Sequence, residues 1–323
     1  MSVQDPPAPS DVVRIGVDVG GTKIAAGAVA GDGTILERLR LPTPEDPAAL
    51  EGRIGEAVCA LAARHRVAAV GLAVAGLVDQ TRSVVRFAPN LALRDLPLRR
   101  TISELVRLPV VVENDANAAA WGEVRFGAAR GSTDVLMLTV GTGLGGAIVL
   151  DGRLIRGAFG GAGEFGHVRM VPGGRPCRCG KAGCWEQYVS GTALTRRVRQ
   201  LVAEDPDGAP VLRELAGEDL ATLGGSMITE AARREDAVAR RALAEVGRWL
   251  GDGIADLADS LDPEIVVIGG GVSQAGELLL GPARAAYTES LTGGGHRPAL
   301  RIVRAALGNE AGMIGAADLA GEA

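Results

Sequence analysis

Two stretches of this 323-residue chain share one pattern, and this repeat constrains the possible folds more than any other feature of the sequence. Residues 18–22 and 139–143 each end an apolar segment in a glycine-rich turn, which leads into a second apolar segment and a glycine-bearing hairpin. The copies are 121 residues apart, from position 18 to position 139, too long a period for a solenoid. Unrelated β-hairpins would give a similar pattern, but two copies of one α/β fold facing each other across a cleft account for it better.

Apolar periodicity and turn residues predict an alternation of strands and helices. The predicted strands cover residues 12–18, 24–29, 34–40, 67–75, 110–113, 135–140, 146–150, 153–155 and 264–268. The predicted helices cover residues 47–64, 98–106, 191–204, 227–234, 236–260 and 310–319, a further helix follows residues 269–271, and Asn114 or Asp115 caps another that ends near residue 126. This order is typical of a mixed α/β protein.

The composition favours an aliphatic core and argues against nucleic-acid or membrane partners. Aromatic residues make up only 3% of the chain, so Val, Leu, Ile and Ala must fill the core. The formal net charge of −5 provides no basic field for a polyanion. The longest uncharged run, residues 135–150, has 16 residues, fewer than the roughly 18 of a membrane-span candidate. Residues 1–11 lack the apolar core of a signal peptide, so we expect a cytoplasmic protein.

Three glycine-rich turns, at residues 18–23, 139–146 and 269–272, follow apolar strands and are candidates for phosphate binding. Glycine lets backbone N–H groups converge on an anion, although ordinary hairpins use glycine too. None of the three has the Walker sequence or a complete dinucleotide fingerprint. Asp18 is either a plain turn residue or a carboxylate that holds hydrated Mg²⁺ beside phosphates. Three such turns in one chain favour a nucleoside triphosphate.

A run of polar side chains, residues 113–117, follows the apolar strand at 110–113. Capping of the next helix by Asn114 or Asp115 is one explanation. The other is a carboxylate that accepts the proton of a substrate hydroxyl, because phosphoryl transfer needs a group in that role.

The strongest metal signal is a cluster of one histidine and three cysteines. Its members are His167, Cys177, Cys179 and Cys184, with Gly180 and Gly183 in the loop between them. Four such ligands complete a tetrahedral zinc site with no open position, so the predicted metal is structural; reduced cysteines without metal are the alternative. Glu164 and Glu186 flank the cluster and are either surface charges or part of one pocket that the metal organises.

These segments together resemble the ROK family (repressor, open reading frame, kinase). The resemblance is carried by residues 16–23, 87–90, 113–117, 139–146, 164–167, 177–186 and 269–272. It extends from about residue 13 to residue 319, and the order of the histidine and the cysteines is its most specific part. Ala147 stands where a third glycine is common in the family.

The resemblance implies a duplicated actin-like (ribonuclease-H-like) α/β fold with two lobes around a cleft, in agreement with the internal repeat. The expected small N-terminal lobe covers residues 12–120, with a C-terminal helix at 310–321 packing back on it. The expected large lobe covers residues 121–309 and carries the zinc loop. A homodimer or homotetramer is also implied.

The family pattern also implies residue roles. Asp115 would take the proton from the sugar 6-hydroxyl, and Asp18 would help to place Mg²⁺. The residues expected to bind the sugar are Gly76, Asn90, Asn114, Asp115, Glu164, His167 and Glu186. Those expected to bind ATP are Asp18, Gly20, Gly21, Thr22, Lys23, Thr142, Gly143, Gly270 and Gly271.

The expected function is ATP- and Mg²⁺-dependent phosphorylation of D-glucose on its 6-hydroxyl. Kinases of the same family that act on fructose, mannose or an N-acetylated hexosamine such as N-acetylmannosamine are the nearest alternative. Polyphosphate is a less expected donor because the sequence lacks a basic tract. A sugar sensor that regulates transcription is disfavoured by the acidic balance and by the dozen residues before the first strand, and an actin-like filament protein would not need the polar cluster.

Overall fold

The computed structural model describes residues 12–205, 207–217 and 219–322, so the segment 1–11, in which no signal peptide is predicted, lies outside the described residues. Two compact units are found. The first consists of residues up to 131, 152–162 and those from 309 onwards, and the second of residues 132–151 and 163–308.

Most of the strands lie close to their predicted positions. They are β1 (Val13–Val19), β2 (Lys23–Val29), β3 (Ile35–Pro42), β4 (Val67–Val74), β5 (Leu77–Val78), β6 (Val85–Ala88), β7 (Leu93–Leu96), β8 (Val110–Asn114), β9 (Val135–Val140), β10 (Leu144–Leu150), β11 (Arg153–Leu154), β12 (Ile265–Gly269) and β13 (Arg301–Arg304).

Most of the helices lie close to their predicted positions. They are α1 (Leu50–Ala62), α2 (Leu98–Val106), α3 (Asp115–Phe126), α4 (Gly191–Glu204), α5 (Pro210–Ala216), α6 (Gly225–Arg233), α7 (Ala237–Leu261), α8 (Glu277–Ser290) and α9 (Ala311–Leu319). Among the helices of the described segments, none combines the length and hydropathy needed to cross a bilayer.

The main sheet of the first unit has the strand order β3-β2-β1-β4-β8. β2 pairs antiparallel with both β1 and β3, whereas β4 pairs parallel with β1 and with β8. The parallel pairs require crossover connections, which α1 supplies between β3 and β4 and α2 supplies before β8. This topology places the carboxyl ends of β1, β4 and β8 on one edge of the sheet.

The second main sheet repeats the first strand by strand, in the order β11-β10-β9-β12-β13. β9 and β10 form the antiparallel hairpin, and β12 and β13 are the added parallel strands. The expected duplicated actin-like α/β fold is therefore confirmed, and the repeat at positions 18 and 139 corresponds to the first hairpin of each copy.

Three parts of the fold were not predicted. β5, β6 and β7 form a small separate sheet, and β13 and α5 are also additional. These segments are only two to seven residues long, too short to show a clear period. The expected boundary at residue 120 differs from the observed division, because it would cut α3, which continues to Phe126 within the first unit.

Helix α9 belongs to the first unit and packs directly on the backbone of its sheet. A Cβ atom at Gly16 in β1 would lie 1.9 Å from the carbonyl oxygen of Met313. A Cβ atom at Gly71 in β4 would lie 1.8 Å from that of Ala316. Only glycine permits this approach. The neighbouring buried cluster consists entirely of Val, Leu, Ile and Ala, as the composition predicts.

We expect Gly71→Ala to lower the free energy of unfolding by about 1–3 kcal/mol, because the added methyl group must push α9 away from β4. Gly52→Ala is the matched control, since a Cβ atom at this exposed position of α1 meets nothing within 4 Å. The control should raise stability by up to ~1 kcal/mol through helix propensity. Denaturant unfolding measures both, and equal stability of the two variants would contradict the packing described.

Candidate active site

The first glycine turn joins β1 and β2 and is held by Thr43, the residue after β3. The Gly20 N–H donates to Lys23 O (3.0 Å), which closes the turn. Thr43 donates its hydroxyl to Gly20 O (2.6 Å) and its N–H to Thr22 O (3.2 Å). Gly21, Thr22 and Lys23 are exposed. The turn is thus a rigid, solvent-facing backbone loop, which is the arrangement that phosphate binding requires.

Asp18 lies immediately before this turn, half-buried on β1. Desolvation raises the pKa of its carboxyl group, and the Lys23 ammonium group partly offsets that rise. A Cβ atom at Gly312 would lie 3.8 Å from Asp18 Cγ and 3.9 Å from Asp115 O. The first unit therefore brings Asp18 and the start of α3 to the same place, at the first turn of α9.

Asn114 caps helix α3 and at the same time binds a neighbouring loop. Its Oδ1 accepts the Asn117 N–H (3.0 Å), and its Nδ2 donates to Gly76 O (3.0 Å). The capping interpretation is thus confirmed for Asn114. Asp115 is the first residue of α3 and is half-buried, so its carboxylate sits at the positive end of the helix.

Two further predicted sugar residues lie near these elements. Asn90 is exposed, and its backbone oxygen would lie 3.3 Å from a Cβ atom at Gly21, so it borders the first glycine turn. Gly76 follows β4, where a Cβ atom would lie 2.6 Å from Phe87 O and from the Ala88 methyl group. Gly76 therefore contributes backbone only.

The second glycine turn joins β9 and β10 and is anchored by the start of α4. The Gly141 N–H donates to Gly143 O (3.0 Å), and the Gly191 N–H donates to Gly141 O (2.7 Å). The Thr192 hydroxyl donates to Thr142 O (2.8 Å). This turn is therefore fixed by hydrogen bonds on both sides, like its counterpart in the first unit.

Glu186 contacts the second glycine turn directly. Its Oε2 accepts the Leu144 N–H (3.1 Å), and a Cβ atom at Gly143 would lie only 2.2 Å from the same oxygen. Desolvation raises the pKa of Glu164, His167 lowers it and the nearby Glu186 carboxylate raises it again. Glu164, His167 and Glu186 thus form one polar cluster next to the turn.

His167 and the three cysteines converge on one point. One ligand atom from each of the four residues can be chosen so that all lie within 4.8 Å of one another. Cys179 Sγ is 3.6 Å from Cys184 Sγ, and Cys177 Sγ is 3.8 Å from His167 Nδ1. Sulfur ligands about 2.3 Å from a tetrahedral zinc ion would be about 3.8 Å apart, so the donor set and its spacing fit zinc.

The loop that carries the cysteines depends on glycine and on one lysine. Gly183 has a φ of 81°, and a Cβ atom there would lie 1.6 Å from Val171 O. Lys181 donates its Nζ to His167 O (2.8 Å), which ties the loop to the histidine. Burial raises the pKa of the Cys184 thiol to about 12, and the hydrogen bonds that this thiol donates to the other cysteines add to the rise. A thiolate at Cys184 therefore needs a cation beside it.

A cavity of about 980 Å³ opens beside the second glycine turn. The turn residues Gly141 and Thr142 line it, as does Gly271 at the end of β12. Gly270 has a φ of 80° and lies against the backbone of Val140. It therefore sets the path of the backbone just before Gly271, which lines the cavity. The volume is within the range of pockets for drug-sized ligands.

Sequence reasoning missed most of the cavity wall. The lining residues outside the predicted turns are Gly191, Thr192, Thr195, Arg196, Arg199, Gly225, Ser226, Thr229, Arg233 and Gln274. Four of them, Thr192, Thr195, Arg196 and Arg199, have the i, i+3, i+4, i+7 spacing of a single face of α4. That spacing could have indicated that one face of α4 lines a cavity. A stripe of polar residues on a helix is, however, more often a face exposed to solvent.

Comparison with known proteins finds relatives that match nearly the whole chain. The chain is 49% identical over 310 residues to a glucokinase of Streptomyces coelicolor, covering 96% of this chain and 98% of that protein. A crystal structure of a ROK family glucokinase from Streptomyces griseus, in complex with glucose and AMPPNP, matches with a TM-score of 0.90 and 49% identity over 96% of this chain and all of that one. An N-acetylmannosamine kinase of Escherichia coli is 34% identical over 96% of this chain and 98% of that protein.

The sequence pattern of one family also matches nearly the whole chain, from residue 14 to residue 323. The internal duplication, the paired glycine turns and the histidine–cysteine loop all lie within that match. This chain therefore belongs to the ROK family.

Proposed function

We propose that this chain is a glucokinase that transfers the terminal phosphoryl group of ATP to the 6-hydroxyl of D-glucose. The relatives that match over nearly its full length support this proposal, since two of them are named glucokinases and one was crystallised with glucose and an ATP analogue. A ROK kinase for another hexose or for N-acetylmannosamine is the second candidate, supported by the 34% identity to such a kinase.

One observation within the second unit carries the proposal. The turn at residues 141–144 borders the 980 Å³ cavity through Gly141 and Thr142, and it binds the Glu186 carboxylate through the Leu144 N–H. A nucleotide in the cavity and a sugar on the polar cluster would meet at this turn. Phosphoryl transfer needs such a meeting of donor and acceptor more than it needs covalent chemistry.

Asp115 is the proposed base. It stands at the N-terminus of α3 in the first unit, with its backbone oxygen near Gly312, and the Asp18 carboxyl group also lies near Gly312. A carboxylate in contact with the 6-hydroxyl would accept its proton as the oxygen attacks phosphorus. Asn90 and Asn114 are the proposed neighbours on the sugar, with Gly76 supporting the Asn114 side chain.

Glu164, His167 and Glu186 are proposed to bind other sugar hydroxyls. A buried hydroxyl without a hydrogen-bond partner is costly, so a cluster of carboxylates and a histidine suits a sugar. His167 directs Nδ1 towards the cysteines. Its Nε2 is the ring nitrogen left for a hydroxyl.

The glycine turns are proposed to hold the phosphates. The residues concerned are Gly20, Gly21, Thr22, Lys23, Thr142, Gly143, Gly270 and Gly271. Asp18 is proposed to help place Mg²⁺, because a half-buried carboxylate with a raised pKa gains from a nearby cation. The ion would neutralise charge on the phosphates during transfer.

His167, Cys177, Cys179 and Cys184 are proposed to hold a structural zinc ion. When bound, the ion would supply charge and rigidity only, because four protein ligands leave no position for substrate. His167 belongs to both the cysteine cluster and the proposed sugar cluster. An ion that fixes the cysteine cluster would therefore also fix the position of His167 in the sugar cluster. A cytoplasmic location and a homodimer or homotetramer remain predictions.

A coupled ADP-release assay over glucose, fructose, mannose and N-acetylmannosamine tests the substrate. We expect glucose to give the highest kcat/KM with ATP as donor, and inorganic polyphosphate to support little turnover. A higher kcat/KM for N-acetylmannosamine than for glucose would contradict a glucokinase and support the second candidate, an N-acetylmannosamine kinase. Absence of turnover with every sugar would contradict a kinase altogether.

Asp115→Asn should keep the glucose KM within a few-fold and reduce kcat by at least about tenfold, because the amide cannot accept the proton. Asp32→Asn is the control, since Asp32 is a turn residue in the same unit whose Oδ1 accepts the Thr34 N–H, which an asparagine can also do. Retention of more than about a tenth of the kcat in Asp115→Asn would show that another group is the base.

Cys179→Ser should lose zinc and weaken both thermal stability and glucose binding, because one thiolate ligand is removed. Cys59→Ser is the control, since Cys59 is an exposed cysteine of α1 that does not belong to the cluster. Elemental analysis should find one zinc per chain in the wild type and in the control. Full activity in protein from which zinc has been removed would overturn the structural role.

A further inference from the structure

A buried ionic cluster lies directly behind the N-terminus of α3, and the roles proposed above do not use it. The side chain of Glu113, the residue before the cap Asn114, is only 3% exposed. Its Oε2 is 2.7 Å from Arg156 Nε and 3.5 Å from Arg82 Nε. Burial of a carboxylate is costly, and a structure retains one only where charged partners and hydrogen bonds compensate.

The carboxylate of Glu113 holds the backbone and side chains on both sides of Asp115. Its Oε1 accepts the Asn114 N–H (3.2 Å) and the Asn117 Nδ2–H (3.0 Å). Asn117 is itself 3% exposed and donates its backbone N–H to Asn114 Oδ1. One buried group thus fixes the residue before Asp115 and the residue two places after it.

Arg156 is the arginine that fixes this carboxylate. It donates from Nε to Glu113 Oε2, whereas Arg82 Nε is buried without a hydrogen-bond partner. Arg82 directs its other nitrogens to Glu322 (2.7 Å) and to Leu319 O (3.1 Å). Arg82 therefore contributes charge and ties the cluster to the C-terminal segment, while the orienting hydrogen bond comes from Arg156.

The backbone of Arg156 is itself held in place. Its carbonyl oxygen accepts the Ala162 N–H (3.1 Å), which closes the loop 156–162. Within that loop, Gly160 packs so closely on β5 that a Cβ atom would lie 1.9 Å from Val78 O. The Arg156 guanidinium thus approaches Glu113 from a fixed loop of the same unit, and the cluster is a rigid support.

We propose that Glu113 is a positioning residue that holds Asp115 in place for proton transfer, and that Arg156 orients the Glu113 carboxylate for this role. The inference rests on the proposed function. A cluster that only stabilises the fold would affect the melting temperature. A positioning cluster also affects the turnover of the folded enzyme, because a small displacement of a catalytic group costs up to about 10²-fold in rate.

The test compares Glu113→Gln, Arg156→Gln and Arg156→Lys with the wild type in steady-state phosphorylation of glucose, using folded protein checked by thermal melting. We expect the two glutamine variants to lose about 10- to 100-fold in kcat with the glucose KM within about threefold. Arg156→Lys, which keeps the charge, should recover a large part of the loss. The double variant should lose no more than the worse single variant, because both substitutions remove one interaction.

Glu104→Gln is the matched control, since Glu104 forms an exposed ion pair with Arg100 in the same unit and should change neither constant. If Glu113→Gln does not fold, Arg156→Gln and Arg156→Lys decide the question, because the Arg156 side chain is 23% exposed and tolerates change better. A kcat within twofold of the wild type in folded Arg156→Gln would overturn the positioning role. The proposed glucokinase function would still stand in that case, provided that the wild type phosphorylates glucose. A wild type that phosphorylates no sugar would remove both proposals.

Discussion

The hydrogen bond from the Leu144 N–H to the Glu186 carboxylate is the contact that would bring sugar and nucleotide together in the second unit. It exists because Gly143 has no side chain, since a Cβ atom there would lie 2.2 Å from the carboxylate oxygen. The contact places the polar cluster, which is the proposed sugar site, against the same turn that borders the cavity of about 980 Å³. The proposed sugar and nucleotide sites of the second unit would therefore share the turn at residues 141–144.

Close backbone contacts of this kind explain a composition with 47 glycines and only 3% aromatic residues. Glycines allow α9 to pack on the sheet of the first unit and allow the cysteine loop to pass Val171 at backbone distance. Small residues bring carbonyl and N–H groups together where larger side chains would hold them apart. The core cluster of the first unit is aliphatic, and overfilling a well-packed core of this kind is destabilising.

Much of the fold followed from the sequence where the periodic signal was strong. β9 and α2 have the predicted bounds, because a continuous apolar run and an amphipathic repeat mark them clearly. The short strands β5, β6 and β7 gave no such signal, since two to four residues cannot display a period. The duplication was visible because its two copies keep the same turn chemistry.

The candidate site was only partly predictable. The residue types of the glycine turns indicate anion binding, and those of the cysteine cluster indicate metal binding. In the structure the four residues of the cysteine cluster lie close together, and Glu186 lies against the second glycine turn. The wall formed by α4 was missed because its threonines and arginines resemble a solvated helix face. The hydrogen bond from Arg156 to Glu113 joins residues 43 positions apart, and no local sequence pattern predicts such a contact.

The most direct test of the central claim is a crystal structure of this protein with glucose and a non-hydrolysable ATP analogue. The account predicts an Asp115 carboxylate oxygen within about 2.6–3.2 Å of the sugar 6-oxygen, the distance at which a base can take the proton. A bound, well-ordered glucose whose 6-oxygen lies beyond hydrogen-bond reach of Asp115 would contradict it.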